Sequence, residues 1–401
     1  MLRVGVVGAG LAGLAAADAL AAAGHEPIVF EARERVGGRV HSRTLENGAV
    51  IELGAEFILP GCTEVIALVE RFGLGLWDKG MRYGKREPRG VTVTPEEMDA
   101  AVAAIDAALA AGAGEGKSVP ELLATLAIDA GAREAILART EVSAAAPGEV
   151  VPAGELALLA RVSDLPAPGI AGGNQRLAEA LADAVGRERI NLGEPVRAID
   201  AEGDGVVIAT DDGSFVADRC VIAVPATVID RIELRPALPA ATEALASIAY
   251  GHAAKLFVPL PGPVPPSATL AVPDRNWAWT ANGDEDGASQ PVVSAFSGSA
   301  AALERLAVET GPEPWARCLA TLRPDLEIDP ARAILSTWDD DEWARAAYSV
   351  ATPAAAVATL ARPHGRIAFA GEHLAGEMSA LMEGAIRSGR SAAATVLTTR
   401  G

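Results

Sequence analysis

Short apolar runs bounded by turn residues alternate with longer alanine- and leucine-rich stretches along this chain. Val4, Val6 and Val7 form the first run and predict a strand. An alanine-rich helical segment follows, and Ile28, Val29 and Phe30 form a second strand. Val50 to Phe57 reads as a strand entering a loop, and 64–74 as an amphipathic helix. Residues 78–92 are polar and turn-rich. From Pro95 to about Ala160 the period is helical, with breaks at Gly112–Gly116 and Pro147–Gly154. The pattern then changes to a helix over Arg176–Val185 and strands at Ile190–Leu192, Pro195–Asp200 and Val206–Thr210. Asp211-Asp212-Gly213 is a hairpin signal. Cys220–Val224, 254–260, 292–297 and Ile334–Trp338 read as further strands, and 300–322 as helical. A strand ending at Gly371-Glu372 and a helix from Glu383 to about Thr398 close the chain.

The first two strands enclose Gly8, Gly10 and Gly13 in G-x-G-x-x-G spacing. Strand, glycine turn, helix and strand is the order that binds a dinucleotide. Gly8 lets the chain turn out of the strand, Gly10 leaves room for a pyrophosphate, and Gly13 lets the helix lie close to the strand. The free N–H groups at the helix start then face phosphate. Glu31 ends the second strand, where an acid accepts from ribose hydroxyls and argues against a 2′-phosphate. A glycine- and alanine-rich chain also produces such spacing for packing alone. The flanking strands and Glu31 favour the nucleotide, without separating NAD from FAD.

Composition narrows the partners. The chain has 401 residues, 50% hydrophobic, with a formal charge of −19. Its length suits more than one domain. The acidic balance excludes nucleic acid and anionic membranes as expected partners. Cys62, Cys220 and Cys318 are widely spaced and predict a reduced, cytoplasmic protein. His25, His41, His252, His364 and His373 make no metal pattern. No signal peptide or membrane span is visible. Lysine is rare: Lys255 stands alone in an apolar strand, and pattern alone puts it on the solvent side of an edge strand.

Several separated segments resemble the flavin-containing amine oxidase family, the group of the monoamine and polyamine oxidases. They are Gly8–Glu31, Glu31-Ala32 with Gly37-Gly38-Arg39, Glu52-Leu53-Gly54-Ala55-Glu56-Phe57, Gly172-Gly173 with Glu194-Pro195-Val196, Val221–Pro225, Gly371-Glu372 and Met382–Gly389. The resemblance implies an α/β fold. A Rossmann-like FAD domain is assembled from residues 1–75, 172–240 and 360–401. A mixed α+β substrate domain spans 76–171 and 241–359 and carries a helical lobe at 95–160. It also turns the nucleotide into FAD. Arg33, Gly38 and Arg39 then lie by the pyrophosphate and ribose, Val196 at the adenine, Glu372 at the ribityl or pyrophosphate, and Met382 at the flavin's pyrimidine edge.

The same resemblance assigns the chemistry. Lys255 moves to the flavin, where the family's lysine holds a water near N5. Trp338 lies beside the ring, and Tyr348 is one wall of an aromatic cage that guides the amine. Glu56 and Leu381 border the substrate pocket. Two positions depart from the family pattern. Ala347 stands where some members attach flavin through cysteine, which implies non-covalent FAD. Leu381 replaces the second cage tyrosine, which points to a bulkier or differently shaped amine. Trp277 and Trp279 are further candidates for the pocket wall. The expected activity is oxidation of a small amine to an imine, with O2 accepting the electrons. An amino-acid oxidase, a desaturase and a non-catalytic FAD-binding redox protein stay open; the amino-acid oxidase requires a pocket arginine.

Overall fold

The computed structural model describes residues 1–160, 165–283 and 287–398. Its centre is a parallel sheet of five strands. Strand β1 (Arg3–Val7) lies in the middle, between Arg219–Ile222 and strand β2 (Glu26–Phe30). Ile367–Phe369 and Ile190–Asn191 flank these at the two edges, also parallel. Four of the five residues of β1 are buried, as expected for a strand covered on both faces. Helix α1 (Leu11–Ala22) and the C-terminal helix Met382–Thr398 cover one face and share its apolar core with Thr63–Arg71 and Gln175–Val185. A four-stranded sheet, Ser214–Ala217, Val206–Thr210, Val196–Asp200 and Glu233–Arg235, packs on the other face. A Cβ on Gly5 would strike Ile208, so this glycine lets the two sheets approach.

A second body is built on a six-stranded sheet. Its order is Ile334–Thr337, Ala253–Pro259, Val292–Gly298, Asn276–Thr280, Ser267–Ala271 and Glu87–Arg89. Helices Pro95–Ala110, Val119–Thr125 and Ala130–Ala144 form the lobe with its own small core. Thr94 and Glu97 make a reciprocal capping box at the first, and Pro95 occupies the first helical position. Among the described residues no helix is long and apolar enough to cross a membrane.

Three expectations change. The segment 300–322 is not one helix: Ala300–Arg305 and Pro312–Leu322 are separated by Ala307 and Gly311, both at positive φ. The polar stretch 78–92 contains a strand, Glu87–Arg89, that pairs in parallel with Ser267–Ala271. The strand bearing Lys255 is interior, flanked by Val292–Gly298 and Ile334–Thr337. Lys255 is therefore 6% exposed and not on a solvent-facing edge.

Candidate active site

One cavity of about 400 Å³ runs from the glycine turn after β1 to the interior of the six-stranded sheet. Its first end is the nucleotide motif. Gly8 takes φ +102°, a left-handed turn that only glycine adopts without strain. A Cβ on Gly13 would collide with the Gly8 carbonyl, whereas one on Gly10 meets nothing within 4 Å. So Gly13 is needed for packing, and Gly10 keeps space open on the cavity side. Gly10 caps α1 without any side-chain acceptor, and Leu11 and Ala12 line the cavity. The positive end of the helix is thus free to meet an anion. Glu31 is 4% exposed and accepts from the backbone N–H of Ala9 (2.7 Å) and Arg33 (3.0 Å). Gly38 and Val196 also border this end.

The middle of the cavity is held by Arg33, Arg39 and Glu372. Arg33 pairs with Asp341 and lies near Glu31. The Arg39 guanidinium donates to the Ala347 carbonyl at 2.7 Å and to Glu372 at 3.2 Å. Glu372 also accepts from the Ser349 N–H and hydroxyl and from the Ala380 N–H. Burial alone would raise its carboxyl pKa; Arg39, His373 and these donors outweigh burial and lower it. Glu372 therefore ties together the loop after β2 that carries Arg39, the segment around Tyr348 and the residues just before the C-terminal helix. Met382 begins that helix and lines the cavity. Glu383, fully buried beside it, accepts from the N–H groups of Glu64 and Val65 and so caps Thr63–Arg71.

The far end carries Lys255, Trp338, Tyr348, Glu56 and Leu381, all lining one cavity with the nucleotide motif. Lys255 Nζ donates to the carbonyls of Glu52 (2.7 Å) and Gly54 (3.0 Å) and to Glu56 Oε2 (2.6 Å). An ammonium has three N–H groups, and all three are spent. Glu56 Oε1 accepts from Lys79 Nζ and Trp279 Nε1, each at 3.1 Å. Burial would raise the Glu56 carboxyl pKa; the two lysines outweigh burial and lower it. The indole of Trp338 donates to the Leu53 carbonyl at 3.1 Å, and the Tyr348 hydroxyl to the Ser143 carbonyl at 2.8 Å. Burial drives the Tyr348 phenol pKa far up, so it stays neutral.

Several lining residues escaped the sequence reading. Trp277 and Trp279 were candidates without a fixed place. The strand Asn276–Thr280 puts both on one face, stacked at 4.2 Å between centroids. Phe57 and Tyr83 join them, with Phe57 5.1 Å from Tyr83 and 5.6 Å from Trp277. Arg86, Ser143 and Phe296 complete this wall. Only the i, i+2 spacing of the tryptophans was visible beforehand. Tyr83 and Arg86 sit in a stretch whose polarity reads as a surface turn.

An open space at Gly10, an uncapped helix start, two arginines and the buried Glu31 together fit a dinucleotide such as FAD. The comparisons with known proteins agree. The family model described as flavin containing amine oxidoreductase matches residues 11–126 and 152–397. Putrescine oxidase of Kocuria rosea is 29% identical, over 98% of this chain and 94% of its own. Human amine oxidase [flavin-containing] B is 24% identical, over 99% and 86%. Among solved structures, wild-type putrescine oxidase bound to putrescine superposes with TM-score 0.84 at 25% identity, covering 99% of both chains. Cyclohexylamine oxidase from Brevibacterium oxydans shares the fold, with TM-score 0.82 at 23% identity over 98% of both chains. The cofactor and pocket residues that the sequence resemblance singled out, Gly13 apart, thus lie in one cavity of a chain that belongs to the flavin-containing amine oxidoreductase family and is an FAD-dependent amine oxidase.

Proposed function

We propose that this chain oxidises the C–N bond of a small amine to an imine, with non-covalently held FAD and O2 as the final acceptor. The observation that carries the reading is the continuity of the cavity. The nucleotide motif at Gly8–Gly13 and the Lys255–Tyr348 end open into one space. Bound FAD supplies a hydride acceptor at N5 and returns the electrons to O2 as hydrogen peroxide.

The protein's own residues do the rest. Gly8, Gly10, Glu31, Arg33, Arg39 and Val196 hold the nucleotide half. Met382 and Glu372 fix the other half at the start of the C-terminal helix. Lys255 is locked by three acceptors, so it presents a fixed positive charge. A water held by Lys255 needs one of those bonds to open. Trp338 and Tyr348 wall the reacting space, and Leu381 leaves the second wall lower than a tyrosine would. Trp277, Trp279 and Phe57 supply further apolar surface that excludes water and accepts a larger amine body. Ala347 borders the cavity and has no side chain that bonds a flavin, and among the described lining residues there is no cysteine.

Purified holoenzyme mixed anaerobically with a panel of amines should lose its yellow colour with at least one, and recover it with O2. Acid precipitation should release all the flavin into the supernatant. A flavin that no amine bleaches would remove the oxidase reading and favour a redox-binding role. Flavin left on the chain would remove non-covalent attachment.

A further inference from the structure

Lys255 has two fixed acceptors and one movable one. The carbonyls of Glu52 and Gly54 belong to backbone that is itself tied down. The Leu53 N–H donates to the His41 carbonyl at 2.8 Å, and the Ala55 N–H to the Arg39 carbonyl at 3.1 Å. Strand Val50–Glu52 pairs with Ser42–Thr44. Turning either carbonyl away from Lys255 disturbs those bonds. The third acceptor, Glu56 Oε2, is on a side chain. Its bond to Lys255 is the one that a change of side-chain torsion opens. Opening it leaves a buried carboxylate uncompensated unless a second cation holds it.

Lys79 is that second cation. It is 4% exposed, and its Nζ donates at 3.1 Å to Glu56 Oε1, the oxygen that Lys255 does not use. Trp279 Nε1 donates to the same oxygen. Lys79 is not among the residues that line the cavity. Its ammonium lies over Phe57 and Trp77, 5.3 and 5.4 Å from the ring centroids. Such faces attract a cation but carry no counter-charge. A Cβ on Gly169 would lie 3.3 Å from Lys79 Nζ, so this glycine leaves the ammonium its room. Glu52, the other buried carboxylate at this place, accepts from Ser42 Oγ and the Asn174 N–H, both at 2.7 Å. Two ammonium groups thus share Glu56. With both present, its pull on Lys255 is divided. Without Lys79, Glu56 and Lys255 form a one-to-one buried pair, and opening it leaves both charges alone.

We propose that Lys79 is a positioning residue for Lys255: it holds Glu56 while Lys255 turns one N–H into the cavity. This rests on the amine-oxidising reading above, in which Lys255 holds a water, and adds the residue that frees it to do so. No covalent bond changes. One N–H of Lys255 passes from Glu56 Oε2 to water, and Glu56 stays on Lys79 and Trp279.

Two measurements test it on holoenzyme. The chain has four lysines, Lys79, Lys85, Lys117 and Lys255, so nitrogen-15 labelling of lysine gives few ammonium signals, each assigned by substitution. Hydrogen exchange of the Lys255 ammonium with water reads how often its bond opens. Lys79→Met should slow that exchange about 5-fold or more; a variant that is merely loosened exchanges faster. The second measurement follows flavin reduction by an amine and reoxidation by O2 in wild type, Lys79→Met, Lys255→Met and the double variant. Lys79→Met should slow, about 10-fold or more, the half-reaction that Lys255→Met slows, and by less than about 3-fold once Lys255 is gone. Lys79→Arg keeps the charge and should lie closer to wild type in both measurements. Flavin content and near-ultraviolet circular dichroism check that each variant is folded; Lys79→Gln serves if Lys79→Met is not. Wild-type or faster exchange in Lys79→Met overturns the proposal and leaves amine oxidation standing. Equal slowing with and without Lys255 overturns it too, since the two lysines then act independently. Slowed exchange in a protein whose flavin no amine bleaches overturns the oxidase reading instead and leaves the link between the lysines standing.

Discussion

Glu56 shows how one residue sets the character of the pocket. It is buried between Lys255 and Lys79 and takes a third bond from Trp279. Replacing it by glutamine keeps the shape and removes the charge that two buried ammonium groups share. Breaking a buried pair from one side costs about 3–5 kcal/mol, because the partner is left uncompensated. Glu56→Gln should therefore lower the melting temperature clearly, and Glu56→Gln with Lys79→Met should recover part of the loss. Equal melting temperatures for wild type and Glu56→Gln would contradict the charge balance drawn for the pocket. This residue also marks a limit of sequence reading. Glu56 was legible as a pocket residue through the segment it belongs to. Its partner Lys79 and the buried Arg86 were not, because both lie in a polar stretch that looks like any surface turn. Burial of a charge depends on what packs over it, and that is decided by strands more than 150 residues further on.

At the scale of elements, the parts with a strong local rule were readable. The glycine spacing and the two apolar runs specify β1, α1 and β2, and the structure has them at Arg3–Val7, Leu11–Ala22 and Glu26–Phe30. The strands Ser267–Ala271 and Asn276–Thr280 were missed. Every residue of the second is buried, so no alternation of polar and apolar positions betrays it. Gly389 illustrates packing between elements. A Cβ there would overlap the Ala12 carbonyl, so the C-terminal helix can approach α1 only with glycine at this point. Gly389→Ala should cost about 1–3 kcal/mol, and flavin retention should fall with it, since α1 and this helix both border the cavity. Gly203, whose added Cβ meets nothing within 4 Å, is the control. Its alanine variant should change stability by no more than about 0.5 kcal/mol. Thermal unfolding and the flavin-to-protein absorbance ratio measure both.

For the whole molecule, the cavity is bordered by residues of two sheets that are built from interleaved segments. The parallel sheet takes its strands from the first 30 residues, from 190–222 and from 367–369. The six-stranded sheet takes residues between and around these. A chain ending at residue 365 lacks both an edge strand and the C-terminal helix. It should not retain flavin, and gel filtration should find it aggregated; a monodisperse yellow truncation would mean the sheet closes without them. The chain carries a formal charge of −19, yet its interior holds both signs: Lys79, Arg86 and Lys255 are buried, and so are Glu31, Glu56, Glu372 and Glu383. That contrast was not legible from composition, which averages surface and interior.

The order of strands in the parallel sheet also has a consequence in time. β1 sits at its centre, yet Arg219–Ile222 on one side and Ile367–Phe369 beyond it are made much later. At about 5–20 residues per second, a ribosome needs roughly 20–80 s to complete a chain of this length. For most of that interval the first strand has a bare edge, and its neighbour pairs only with what has already emerged. The cavity cannot form gradually from the front. It is completed late, when the segment bearing Glu372 and Met382 docks, so a nascent chain stalled before that point has an unfinished cavity and an exposed sheet edge.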